Sequence, residues 1–297
     1  MEKTFLVRLM AGFLLPISGW AQISNIKVTS AASFEPGLPA RGSLGTIFCT
    51  GLTVEGVVSA EEVPLPTTLA GVTVTIGGAL APLLAVADLG GYQQINFQVP
   101  LESQINADGT TQVMLSQGAF QGLVTASNDP NAPGDFFRIP STQYGIFQHA
   151  RDYSLVTKAS PAVAGETIVA YLTGLPTAQP PVPTGQATPN SPLSVVYEMN
   201  RGNLIDQIGL VLAGATYVFD NGEIWGDSTG VSPVSFIGLT PGSVGLYQVN
   251  FTLPASPPNG DVALQLARRI CTPLFGGCDA PDMTRYYLSQ TVVIPIR

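Results

Sequence analysis

The stretch Tyr92-Gln-Gln-Ile-Asn-Phe-Gln-Val-Pro100 returns as Leu246-Tyr-Gln-Val-Asn-Phe-Thr-Leu-Pro254. Gln94, Asn96, Phe97 and Pro100 recur as Gln248, Asn250, Phe251 and Pro254, while Ile95 and Val99 become Val249 and Leu253. A chain that repeats itself at this distance is built from two copies of one supersecondary unit, and any fold assigned to it must accommodate both. Within the repeat, apolar and polar residues alternate. Ile95, Phe97 and Val99 share one face and Gln94, Asn96 and Gln98 the other, the period of a half-buried β-strand. Proline closes both strands because it has no N–H for a ladder.

The neighbouring stretches repeat too. Gly42-Ser-Leu-Gly-Thr-Ile-Phe-Cys-Thr-Gly-Leu52 is answered by Gly165-Glu-Thr-Ile-Val-Ala-Tyr-Leu-Thr-Gly-Leu175, an offset of 123. Gln94 to Gln248 is an offset of 154, so the second copy gains a net 31 residues between the two points. Gly109 to Leu115 is answered by Gly260 to Leu266, and Val72-Thr-Val-Thr-Ile76 followed by Gly77-Gly78 predicts a hairpin into Ala81–Val86. No helical apolar period is sustained anywhere. With 32 Gly and 25 Pro among short apolar runs, the expectation is all-β: two tandem immunoglobulin-like β-sandwich domains after an N-terminal signal peptide. The expected boundaries are a signal over 1–21, a first sandwich over 22–127, a linker and connecting strand over 128–158, and a second sandwich over 159–297. An inserted stretch is expected near 199–231.

Met1 to Ala21 supplies a basic start, the apolar run Phe5 to Ile17 and a small-x-small end at Ser18-Gly-Trp-Ala21, the pattern of a secretory signal. A membrane anchor is the alternative, but the run is short and carries Arg8. No later run is long enough to span a membrane, so the expected location is secreted or extracytoplasmic. Acidic residues outnumber basic ones, 20 to 12. With no Lys/Arg cluster to neutralise phosphates, nucleic acid is excluded as a partner. The expected partner is a protein or polysaccharide at the cell surface.

Of three cysteines, Cys271 and Cys278 bracket a turn-forming loop and read as a disulfide in an exported chain. A metal site is the alternative, although two ligands alone do not hold zinc. Cys49 reads as a small buried hydrophobe.

The pieces Ser30-Ala-Ala-Ser-Phe34, Pro64-Leu-Pro-Thr67, Gln94-Ile-Asn-Phe-Gln-Val-Pro100, Asp152-Tyr-Ser-Leu-Val-Thr157 and Gly245-Leu-Tyr-Gln-Val-Asn250 occur in series. Together they resemble the uncharacterised Solibacter-type C-terminal domain family of exported acidobacterial proteins, from about Ser30 onward. The resemblance implies an exported β-sandwich module and carries no catalytic residues. The Met199–Val231 stretch and the Cys271–Cys278 loop depart from the family's pattern.

Catalytic chemistry finds little footing. Gly226-Asp-Ser-Thr-Gly230 matches G-x-S-x-G, but the single histidine, His149, precedes it and no helix follows, so a turn is preferred. Asp220, Glu223 and Asp227 crowd a turn-rich loop, and Asn128–Asp135 crowds the domain junction. Both offer oxygen ligands that suit calcium, the only cofactor worth considering, without matching a calcium-loop consensus. Asn96 and Asn250 read as braces for neighbouring loop backbone, with a ligand contact as the alternative. The leading functional expectation is a non-enzymatic exported or cell-surface protein with an adhesion, scaffolding or interaction role. A carbohydrate-binding module stacking sugars on Trp225, Tyr217 and Tyr197 comes second. A secreted hydrolase ranks third because no acid–base pair stands out.

Overall fold

The computed structural model describes residues 22–196, 199–200, 205–213, 215–219, 234–271 and 284–297. The expected signal, Tyr197, Asp220, Glu223, Trp225, Asp227 and Cys278 lie outside the described residues, as does the Gly226–Gly230 turn. Of Tyr217 and Cys271 only the strand backbone is described.

The first copy runs through β1 (Ser24–Ser30), β2 (Leu44–Thr50), β3 (Val57–Ser59), β4 (Val72–Ile76) and β5 (Ala79–Leu80). It continues with β6 (Leu83–Asp88), β7 (Gln93–Gln98), β8 (Thr110–Gln117) and β9 (Phe120–Ser127). The second contains β10 (Asp135–Phe136), β11 (Phe147–His149), β12 (Thr167–Thr173), β13 (Met199–Asn200), β14 (Ile205–Leu212) and β15 (Ala215–Phe219). Then come β16 (Val234–Leu239), β17 (Tyr247–Thr252), β18 (Gly260–Cys271), β19 (Thr284–Leu288) and β20 (Val292–Ile296).

In the first copy one sheet has the order β1-β2-β7-β6-β3 and the other β5-β4-β8-β9. With the short β3 and β5 set aside and the other strands lettered in chain order, these are the ABED and CFG sheets of an immunoglobulin-type sandwich, and the repeated stretch is its strand E. In the second copy β11, β12, β17 and β16 take the first sheet's places, and β14 pairs with β18, which pairs in turn with β19 and β20. The molecule is all-β: two tandem immunoglobulin-like sandwiches.

Register carries the duplication down to single residues. Leu44 faces Gln98 and Ile47 faces Ile95 in the first copy; Thr167 faces Thr252 and Ala170 faces Val249 in the second. These are the offsets of 123 and 154 seen in the sequence. A bulge falls opposite Phe97/Asn96 in one copy and opposite Phe251/Asn250 in the other. The pairing Val74↔Leu115 recurs as Leu210↔Leu266, an offset of 136 on the first member. Leu83 on β6 corresponds to Val234 on β16, an offset of 151. The added residues therefore enter mainly in two places, between β12 and β14 and between β15 and β16, rather than as one stretch over 199–231. β10 and β11, from the expected connecting segment, both pair with β12. The Gly77-Gly78 hairpin forms, but its second arm is only the two-residue β5, after which Ala81-Pro82 carries the chain to the other sheet. Pro82 cannot extend a ladder, which is why the expected continuous arm breaks.

Alternation produces the burial. β4 reads buried–intermediate along Val-Thr-Val-Thr-Ile, and β17 does the same along Tyr-Gln-Val-Asn-Phe-Thr. Ile47, Val74, Ile95, Phe97, Val113 and Leu115 belong to one core; Ile168, Ala170, Val249, Phe251, Leu264 and Ile294 belong to the other. Each of these side chains other than Ala170 contributes about 1.5–3 kcal/mol of transfer free energy on burial.

Polar contacts join the sandwiches. Thr173 is fully buried, and its Oγ1 accepts from the Leu44 N–H (2.8 Å) and donates to the Leu44 carbonyl (3.1 Å). Gln98 donates through Nε2 to Gly42 O (2.9 Å) and accepts from the Gly185 N–H (2.7 Å). On the second sandwich's side of the boundary, buried Tyr247 donates to Pro176 O (3.1 Å), and burial pushes its phenol above the ordinary tyrosine range. Gly245, at φ +62°, lies so close to the first sandwich that a Cβ there would meet Gly42 O at 2.8 Å. Arg268 reaches from β18 to the carbonyls of Pro130 (2.6 Å) and Ala132 (3.1 Å). Gln117, at the matching position of β8, likewise holds loop carbonyls, those of Thr53 and Ala70.

Two outcomes follow from these burials. Thr173→Val keeps the shape but leaves the Leu44 N–H unpaired and its carbonyl with the Ala31 N–H alone (3.3 Å), so stability should fall by about 1–3 kcal/mol. Calorimetry should show a lower thermal midpoint, largely restored in Thr173→Ser. Cys49 is 1% exposed, and burial pushes its thiol up to about 11. It is therefore protonated near neutral pH and, in Cys271→Ser/Cys278→Ser protein, should react with Ellman's reagent only after unfolding. Because the fold favours the neutral thiol, stability should also decline as pH rises past the ordinary thiol range toward 11.

Candidate functional site

The histidine lies in a structural position. His149 is 1% exposed at the end of β11, with Nδ1 2.7 Å from Glu166 Oε1 and Nε2 3.2 Å from the Ser160 carbonyl. Glu166 also accepts from the Val163 N–H at 3.0 Å and lies 3.4 Å from Arg151. Both ring nitrogens are engaged in tying loop to sheet, and neither is presented to a ligand.

The domain junction holds an open cleft of about 310 Å³, lined by Glu35, Asp129, Asp135, Gly174, Ser289 and neighbouring loop residues. Asp135 accepts from Ser33 Oγ at 2.7 Å. Among the described residues no three His, Cys, Asp or Glu side chains gather to hold a metal.

A different surface brings ligand-type groups together. The polar side of β7 is the outer face of its sheet, next to Thr46 and Phe48 of β2. Asn96 Oδ1 accepts from Thr46 Oγ1 (3.0 Å) and from Gln94 Nε2 (2.9 Å). This corrects the expectation of a loop brace: Asn96 joins a side-chain row across the sheet, and Gln98 does the bracing. Asn250 follows the same rule, accepting from Gln248 Nε2 at 2.7 Å. With its oxygen doubly engaged, the Asn96 amide keeps its N–H donors for whatever lies above the face. The row borders a concavity of about 290 Å³ whose lining includes Phe34, Thr46, Leu84, Gln94, Asn96 and Phe137. Among the described residues no charged side chain lines it. Phe137 follows β10, so the second sandwich's edge forms part of a wall on the first sandwich's face.

Aromatic rings flank this row. Phe34 packs edge-on against Phe48, with centroids 5.6 Å apart, and Phe48 against Tyr92 at 5.8 Å. Phe34 and Tyr92 are each nearly half exposed, at 48% and 46%. The tight turn after β1 sets Phe34 in place: its N–H donates to Ser30 O (3.1 Å), while the Ser30 N–H donates to Glu35 O (3.1 Å). Closing that turn puts Phe34 at φ +58°, a left-handed conformation unfavourable for a bulky residue.

The second copy repeats this construction. Tyr153, also at φ +58°, donates to His149 O (2.8 Å), and the His149 N–H donates to Ser154 O (3.0 Å). Tyr153 lies 119 positions after Phe34, the offset that also relates Ser30 to His149. Tyr171 matches Phe48; partial burial raises its phenol pKa, and the neighbouring Tyr153 raises it further. The copies then diverge. Val169 replaces Thr46, Leu246 replaces Tyr92, and the Tyr171 hydroxyl donates to Gln148 Oε1 (2.8 Å). The four-residue echo Ala31-Ala-Ser-Phe34 and Ala150-Arg-Asp-Tyr153 was present in the sequence, but an aromatic after a turn carries no mark of a positive φ until both turns are seen in place.

No family model and no curated protein matches the chain. Among solved structures the chain is similar to the titin Ig tandem domains A164-A165, with 8% identity, 93% of this chain and 95% of that chain covered, and a TM-score of 0.19. It is similar to a titin A168169 structure at 11% identity, with coverages of 92% and 97% and a TM-score of 0.20. A further likeness is to CfaE, the adhesive subunit of CFA/I fimbria of enterotoxigenic Escherichia coli, at 10% identity, covering 94% and 79%, with a TM-score of 0.11. At such TM-scores the fold rests on the strand order and register described above.

Proposed function

We propose that the chain is an exported, non-catalytic interaction protein that presents the outer sheet faces of its two sandwiches to a partner. The carrying observation is the recurrent aromatic at φ +58°, Phe34 in one copy and Tyr153 in the other, 48% and 61% exposed. A left-handed bulky residue costs on the order of 1–2 kcal/mol. Exposed as they are, these rings recover little of that by joining the core, and strain kept at a surface points to use of that surface. Export rests on the pattern of the first 21 residues. The engagement of His149 by Glu166 and Ser160 supports the non-catalytic part.

The test is a binding isotherm of the purified mature chain on isolated envelopes and extracellular matrix of the producing organism. Saturable binding is expected, weakened about tenfold or more in Phe34→Gly/Tyr153→Gly. Glycine suits both positive φ angles, so this double variant should melt no lower than the parent by more than a few degrees. Binding that ignores the double variant would sink the proposal. So would catalytic turnover that disappears when one acidic residue is replaced.

A further inference from the structure

We infer that the concavity on the outer face of the first sandwich is a binding site for a neutral glycan chain. The inference rests on the interaction reading above and names the ligand class for one of its two faces. Three features of the site select that chemistry. Among the described residues its lining contains no ionic side chain, in a chain of formal net charge −8. A polyanion would meet no cation there and an unfavourable overall field, and a cationic ligand would meet no carboxylate. The polar groups are instead an amide pair and a hydroxyl, Gln94, Asn96 and Thr46, already ordered by their mutual hydrogen bonds. The Asn96 N–H donors, without a partner among the described residues, and the Gln94 carbonyl oxygen supply adjacent donors and an acceptor. Sugar hydroxyls, which both donate and accept, can satisfy the two together.

The third feature is the Phe34–Phe48–Tyr92 row beside the amides, whose outer rings are half exposed. Aromatic faces carry negative charge density and attract weakly positive C–H edges, which a pyranose ring presents on its less polar side. A ligand with hydroxyls on its rim and C–H groups on its face fits that pairing. Purely apolar ligands would leave the Asn96 donors covered and unpaired. Extended peptides bind sheets by adding to an open edge, whereas here the backbone groups beneath the site are already paired in the β1-β2-β7-β6 ladder.

The matching face of the second sandwich is built less well for such a ligand. Val169 removes the hydroxyl, Leu246 removes the third ring, and the Tyr171 hydroxyl is committed to Gln148. The site also lies where the second sandwich's Phe137 walls it, so the intact pair of sandwiches is required.

Titration calorimetry of the mature chain with cellohexaose, xylohexaose, mannohexaose and laminarihexaose, and with hexagalacturonate as the charged comparison, tests the inference. At least one neutral hexasaccharide should bind, and hexagalacturonate should not. Affinity should drop about tenfold or more in Phe34→Gly and in Asn96→Ala. It should hold in Leu123→Ser, exposed on β9 of the other sheet. Phe34→Gly suits its φ, so its folding is not in question even if Asn96→Ala destabilises the sheet; Tyr92→Ala then supplies the second arm. The inference is overturned if none of the four neutral hexasaccharides binds at millimolar concentration, if hexagalacturonate binds as well as they do, or if binding survives in both Phe34→Gly and Tyr92→Ala. Envelope binding that still depends on Phe34 and Tyr153 while no hexasaccharide binds would remove the glycan and leave the interaction role standing.

Discussion

A single threonine hydroxyl, that of Thr173, satisfies both backbone groups of Leu44 across the boundary between the sandwiches. Tandem sandwiches on a short linker move relative to one another by default, since interfaces within a chain resemble transient ones. Here burial changes that balance. Once Leu44 is covered, its N–H and C=O have no water to turn to, and separating the domains exposes apolar surface while breaking a matched pair of bonds. Gln98 repeats the device one strand away, with both ends of its amide used. The two clamps act at adjacent positions, because Leu44 and Gln98 face each other in the β2–β7 ladder. The shared strand end is what the second sandwich grips.

That grip shapes the candidate site. The outer face of β7 runs from Gln94 through Asn96 to Gln98, and the second sandwich covers only the Gln98 end. Asn96 and Gln94 stay half-buried at the rim, with Phe137 as a wall. Position alone separates the members of one polar row: the inner one fixes the domains, and the outer ones stay open to the proposed ligand. The second copy uses this position differently. Its Gln98 counterpart is Thr252, which bonds Thr167 within its own sheet at 2.9 Å. Divergence between the copies is concentrated where their surroundings differ, while the core-facing members, Ile95/Val249 and Phe97/Phe251, stay alike.

Most of the strand framework was legible in the sequence, because alternation and offsets are local properties read along one chain. The offsets of 123 and 154 reappear as the β2–β7 and β12–β17 registers, since a one-residue slip would turn Phe97 or Phe251 out of its core. What escaped was everything that depends on contact between distant segments. Asn96 bonds Thr46, 50 positions earlier, and Gln98 bonds Gly185, 87 positions later. Nothing in a β-strand pattern tells these two polar residues apart. The added residues of the second copy look like one block in an alignment of ends, and only pairing divides them around β14 and β15. Trp225, Tyr197 and the acids Asp220, Glu223 and Asp227 lie outside the described residues, and the exposed aromatic row among the described ones is on the first sandwich.

The paired turns at Phe34 and Tyr153 link this framework to function. Each turn is closed by the same two backbone bonds, and each forces its fifth residue to positive φ. Glycine or asparagine would occupy that position at less cost. An aromatic side chain in both copies therefore needs a compensating interaction. Phe34 finds part of it in the edge-on contact with Phe48, worth about 0.5–1.5 kcal/mol, which offsets the strain without exceeding it by much. The exposed half of the ring contributes nothing further to the isolated protein. Its remaining surface is in the right place, beside Asn96 and above the clamp that holds the domains, to be completed by a partner rather than by the fold.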